Sequence, residues 1–167
     1  LGIARAQSAC GDLAAAKVTI EQLQQHEPDY ADAHELLGQV LIEHGELQAA
    51  LQHCVKASEL TPGCVMRAQI AATLSFYMAA SSLALPLLER TCRIGARSRL
   101  FNPLSWVLLA LARLDAKDSK GVIAAQQSLV AWVQRHGASP ASDYFTRVMQ
   151  VLQQLAKSLP ERVQVWA

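Results

Sequence analysis

Apolar residues along this chain recur at spacings of three and four, the interval that brings side chains to one face of a helix. Leu37, Val40 and Leu41 make one such stripe, and Leu47, Ala50, Leu51, Cys54 and Ala57 make the next. Turn residues fall between the stripes. Gly11 and Gly45 suit a backbone that turns tightly between antiparallel helices, and Pro28 and Pro62 cannot continue the helices before them. The pattern predicts a helix ending near Ala9 and others over about 13–26, 31–43, 46–59, 65–79 and 81–94. Pro86 is tolerated in the first turns of the sixth helix if that helix starts near Ser82, and otherwise kinks it. Asn102-Pro103 and Ser139-Pro140 each read as a cap followed by proline at the first helical position, opening helices that reach about Leu114 and Ser158. Between those two, a polar connection over 115–121 leads into a helix ending near Arg135. The tail from Arg162 to Trp166 alternates like a short strand. The expected fold is all-α, with about nine helices and no sheet.

The punctuation itself repeats. Gly11, Leu13, Ala15, Ala16 and Pro28 recur as Gly45, Leu47, Ala49, Ala50 and Pro62, with an offset of 34 in every case. Glycine, alanine and proline each have a separate structural reason to recur, so a shared period marks a repeated unit. Over 31–62 that unit resembles the tetratricopeptide repeat, two antiparallel helices with the pattern W-x2-L-G-x2-Y, A-x3-F, P. His34 stands at the Trp place, Leu37-Gly38 follow, Leu41 stands at the Tyr place, Ala50 and Cys54 match the A-x3-F pair, and Pro62 closes the unit. The first unit keeps Gly11, Ala16, Ile20 and Pro28 but has Ile3-Ala4 for Leu-Gly. A degenerate third can be laid over Ala68, Ala71, Ala72, Ser75, Ala84, Leu88 and Ala96. The resemblance implies helix pairs stacked as a right-handed α-solenoid. It divides the chain into repeats over 1–98 (about 1–30, 31–64 and 65–98) and C-terminal helices over 99–167 that continue or cap them. Beyond residue 98 the sequence reads as helical but out of register.

Composition and charge narrow the function classes. Of 167 residues 51% are hydrophobic and 17% charged, which suits one core-forming helical domain. Fifteen basic and 14 acidic residues leave a formal charge of +1, which disfavours nucleic acid and anionic membrane as partners. The longest apolar run, from Leu104 to Leu114, is broken by Arg113 and falls short of the roughly 20 residues a membrane span needs. Nothing resembles a signal peptide, and the start without Met reads as a fragment or processed form. Four cysteines at 10, 54, 64 and 92 show no C-x2-C spacing. Cys54 replaces a packed repeat residue, so reduced thiols and a cytoplasmic location are the expectation.

No catalytic constellation emerges. The chain lacks a G-x-S-x-G elbow, a Walker loop, an H-E-x-x-H pair and a dinucleotide glycine fingerprint. The five histidines are scattered, and His34 reads as a partly buried structural residue. We therefore expect no enzyme activity, no metal site and no cofactor. Binding is the positive expectation, because stacked helix pairs line a concave surface with their first helices. The resemblance places Arg5, Ser8, Glu35, Gln39, Glu43, Gln69, Thr73, Phe76 and Tyr77 on that surface. Amides there could bond a peptide backbone, and Phe76 with Tyr77 could anchor a side chain. A protein or peptide partner is expected. A clamp for a C-terminal carboxylate is not, since the family's clamp places hold Leu1, Arg5, Leu36, Met66 and Ile70, of which only Arg5 is basic. Two alternatives stay open: a secretion-type chaperone for apolar segments, and a self-assembling segment forming a homo-oligomer.

Overall fold

The structure, a computed structural model, describes residues 1–137 and 139–157. Among them are nine helices: α1 (Gly2–Ala9), α2 (Leu13–His26), α3 (Ala31–Glu43), α4 (Leu47–Leu60), α5 (Val65–Tyr77), α6 (Ser81–Gly95), α7 (Leu104–Asp115), α8 (Ser119–His136) and α9 (Pro140–Lys157). No strand occurs among the described residues. The alternating tail around Arg162 to Trp166 lies outside them, as does the expected end of the last helix at Ser158. Pro86 sits at the sixth position of α6, past the first turn. The chain divides into two compact units, Leu1–Leu74 and Ser75 onward, with α5 crossing the division.

In the first unit α1 packs on α2, α2 on α3 and α3 on α4. The core is built from alanines set among larger side chains: Ala4, Ala16, Ala33 and Ala50 with Ile20, Leu37, Val40 and Leu41. Small residues let helices approach closely, and Gly38 shows how closely. A Cβ on Gly38 would stand 2.7 Å from the Cys54 sulfur and 3.6 Å from the Ala50 carbonyl oxygen. In the second unit α6 packs on α7, α7 on α8, and α9 on both α7 and α8.

One turn joins the helices within each pair. After α1, the Gly11 and Asp12 amides donate back to the Ser8 and Gln7 carbonyls at 2.9 Å each, with Gly11 at φ +80°. The same pattern follows α3, where Gly45 has φ +79°, and follows α5 and α7, where Ala79 and Lys117 take φ of 52° and 58°. Back-bonding of this kind satisfies the last carbonyls of a helix and needs one left-handed residue. Glycine does this without strain. Ala79 and Lys117 each accept roughly 1 to 2 kcal/mol of unfavourable backbone conformation there.

Gly11, Gly45 and Ala79 keep the step of 34, while Lys117 follows Ala79 by 38. The four extra residues lie in the α6–α7 connection, which spans 96–103 where the earlier connections span 27–30 and 61–64. Phe101 from that longer loop is 2% exposed and meets Trp106 and Trp132 edge-on, with ring centroids 5.7 and 6.3 Å away. A Cβ on Gly95 would fall 2.0 Å from the Phe101 ring, so the end of α6 admits Phe101 only as glycine. Once the insertion is counted, Trp106, Leu109 and Ala110 stand where His34, Leu37 and Gly38 stand two pairs earlier. The α7–α8 pair is thus in register after all. Asp118 also caps α8 through the Gly121 amide (2.9 Å), as Asp12 caps α2 through Ala15 (3.0 Å), which starts α8 at Ser119 rather than beyond Gly121.

His34 is buried and forms the polar centre of the first unit. Its Nε2 lies 2.8 Å from the Pro28 carbonyl oxygen, an acceptor, so Nε2 carries the proton. Its Nδ1 lies 3.0 Å from the Gln24 amide nitrogen and 2.9 Å from His53 Nδ1, with the two imidazoles stacked at 5.1 Å. His53 is itself half-buried beside that ring. Burial lowers its pKa, and the neighbouring His34 and Lys17 add to the effect. Folded His53 therefore resists protonation while the unfolded residue titrates near 6.5. Stability from this group is full above that pH and is lost as pH falls from about 6.5 through the lowered folded value. Thermal melts at pH 7.5 and 5.5 should show a fall in stability that a His53→Gln variant reduces. Equal falls in both proteins would mean that this pair does not govern acid sensitivity.

Candidate partner-binding site

The α3 sequence carries Asp32, Glu35, Leu36 and Gln39 at intervals that place them on one helical face. With Arg5 from α1 they surround a cleft of about 250 Å³ in the first unit. Leu36 is 7% exposed and forms its apolar floor, while Arg5 and Gln39 are exposed at its edge. Arg5 has no ion-pair partner among the described residues. The acidic wall is held from behind. Arg67, in the first turn of α5, pairs with Asp32 and with Glu35 (2.9 Å) and donates to the Thr61 hydroxyl at 3.2 Å. Burial opposes its charge, yet bonds to Asp32 and Glu35 outweigh that cost and raise its pKa. Arg67 offsets one of the two negative charges, and Arg5 at the edge of the same cleft forms no ion pair among the described residues.

A smaller recess beside the cleft is lined by Glu35, Gln39, Cys54, Ala57, Arg67 and Ile70. Burial, with Glu35 nearby, pushes the Cys54 thiol up to about 11. It stays protonated near neutral pH, which removes it as a nucleophile. Among the described residues no group of three or more His, Cys, Asp and Glu side chains is placed to hold a metal ion.

Of the residues assigned to one concave surface, the structure brings Arg5, Glu35 and Gln39 around a single cleft. Glu43 is exposed one turn past Gln39 and does not line it. Ser8 on α1 and Gln69 and Thr73 on α5 are half-buried and do not line it either. Phe76 and Tyr77 belong to the second unit; Phe76 is half-buried, Tyr77 is 69% exposed, and the rings meet edge-on at 6.1 Å. Asp32 and Arg67 were missed. The signal available for them was an acidic first turn on α3 and a basic first turn on α5, which successive helix pairs running the same way set side by side.

No protein-family model matches the sequence, and no curated protein aligns with it significantly. Solved structures do match. MamA 41-end from Desulfovibrio magneticus RS-1 aligns with a TM-score of 0.67 at 18% identity, over 95% of this chain and 85% of that one. A second structure, titled a crystal structure of MamA, aligns at 0.63 and 13% identity over 94% of each chain. YrrB, described as a TPR protein with an unusual peptide-binding site, aligns at 0.68 and 14% identity, over 93% of this chain and 78% of its own. At such identities the likeness speaks for fold, and it agrees with the recurring helix pairs and their shared turn. The chain has the all-α, solenoid-type fold of the tetratricopeptide repeat proteins.

Proposed function

We propose that the chain is a non-catalytic interaction module that holds an extended peptide or a partner helix in the cleft of its first unit. The observation that carries this is the uncommitted Arg5 guanidinium at the edge of a cleft whose two carboxylates Arg67 already occupies. Arg5 and the exposed Gln39 amide can bond peptide carbonyls, and Leu36 offers apolar contact beneath them. YrrB, of similar fold, is described as having a peptide-binding site, which supports a peptide as the class of partner. No helix among the described residues is long and apolar enough to cross a membrane. A cytoplasmic location belongs to the same reading, supported by four cysteines that are all free thiols.

Affinity capture from the source extract should yield a partner that the Arg5→Glu/Gln39→Glu double variant retains about tenfold less. Both positions are exposed, so the variant keeps its fold. Equal capture of that partner by both proteins, with unchanged circular dichroism, would place the binding surface elsewhere.

A further inference from the structure

The second unit contains a hollow of about 570 Å³, larger and more apolar than the cleft in the first. Its walls come from Phe76 at the end of α5, Ala84 and Leu85 on α6, and Leu111 and Ala112 on α7. The volume falls within the range of roughly 300 to 1,000 Å³ usual for ligand sites. Asp115, at the edge, is the single charged residue lining it among the described residues.

Asp115 is exposed and has no ion-pair or hydrogen-bond partner among the described residues. It is also the last residue of α7, at the negative end of the helix dipole, although the Ala112, Arg113 and Leu114 carbonyls there already accept back-bonds. Arg113 is the basic residue of that last turn, and it is committed elsewhere. Its guanidinium donates to Glu89 at 3.0 Å and to the Gly121 carbonyl at 2.9 Å. The hollow therefore joins an apolar interior to an edge whose carboxylate has no partner among the described residues.

We propose that this hollow is a docking site for a partner segment in which a large apolar side chain stands next to a lysine or arginine. The apolar side chain fills the space against Leu85, Leu111 and Ala112, and the cation meets Asp115 and the end of α7. An acidic segment would bring like charges together there. A wholly apolar occupant would leave the Asp115 carboxylate at the edge without a partner. The site is separate from the cleft of the first unit, and its occupant carries the opposite sign of charge from one drawn to Arg5.

The test uses the whole chain and three short, end-blocked peptides in a Gly/Ser background, carrying a Leu-Lys, a Leu-Glu or a Ser-Lys pair. Amide chemical shifts followed by titration should show the Leu-Lys peptide binding about tenfold tighter than either control, with perturbations centred on residues 111–116. Asp115→Asn should weaken that peptide by about fivefold, the upper end for an exposed ion pair, and remove most of the salt dependence. Ala112→Trp should abolish binding by filling the hollow. Asp115→Asn changes only an exposed side chain, so it remains informative if the tryptophan variant misfolds. The Arg5→Glu/Gln39→Glu variant should bind the peptide as well as the parent, which keeps this site distinct from the first. Equal affinity for the Leu-Lys and Leu-Glu peptides, an unaltered Asp115→Asn affinity, shifts confined to the first unit, or a self-dimer occupying the hollow would each overturn the proposal.

Discussion

Replacing Ala50 with leucine should destabilise the chain by about 1 to 3 kcal/mol, the usual cost of overpacking a close-packed interior. For a protein of this size that lowers the melting temperature by about 2 to 12 °C. Ala50 is 0% exposed, and its carbonyl oxygen would lie 3.6 Å from a Cβ on Gly38, across the seam between α3 and α4. A leucine there must push the helices apart or take a strained rotamer. The seam can be probed from its other side as well. Gly38→Ala places a methyl 2.7 Å from the Cys54 sulfur, and shortening that neighbour in a Gly38→Ala/Cys54→Ala protein should recover part of the loss. Thermal melts decide the matter: an Ala50→Leu chain that melts with the parent would show that the pair is not close-packed at this point.

Arg67→Met should cost a similar amount, about 1 to 3 kcal/mol in urea denaturation. Removing one partner of a part-buried charge cluster leaves the others without compensation, and here two carboxylates would remain side by side. The Arg67 side chain is only 12% exposed, but Asp32 and Glu35 keep 40% and 30% of their surface. Water screens them, so we place the loss below that of a fully buried pair. Neutralising both acids in the same background, as Asp32→Asn/Glu35→Gln, should restore much of the stability, because the repulsion is then gone. Arg67→Lys should fall between, keeping the charge while losing the fork that reaches Asp32, Glu35 and Thr61 together. A methionine variant within about 0.5 kcal/mol of the parent would show that the cluster contributes nothing net.

The repeat was legible where a residue type has one structural job. Gly11 and Gly45 mark the left-handed turn residue, and Ala16 and Ala50 mark the close approach of two helices. Legibility failed where context let another residue do that job. Ala79 and Lys117 hold the same turn at positive φ because back-bonded amides fix the helix end around them. A search for glycine passes over both. The four-residue insertion before α7 hid a further pair, although Trp106-x2-Leu109-Ala110 keeps more of the repeat pattern than the third unit does.

The candidate sites divide in the same way. Helical periodicity alone put Glu35 and Gln39 on one face of α3, and the stacking implied by the repeat set Arg5 beside them. It also joined Phe76 and Tyr77 to that surface; both fall in the second unit, where Phe76 lines the hollow. Which charges are free was not visible in the sequence, since Asp32, Glu35, Arg67, Arg5 and Asp115 are equally charged there. By itself the sequence determined the all-α class, the helix pairs and the period, because these follow from local propensity, turn chemistry and spacing along the chain. Tertiary structure alone decided that Arg67 bridges Asp32 and Glu35 while Arg5 and Asp115 have no ion-pair partner among the described residues, since pairing depends on distances between helices that no local pattern encodes.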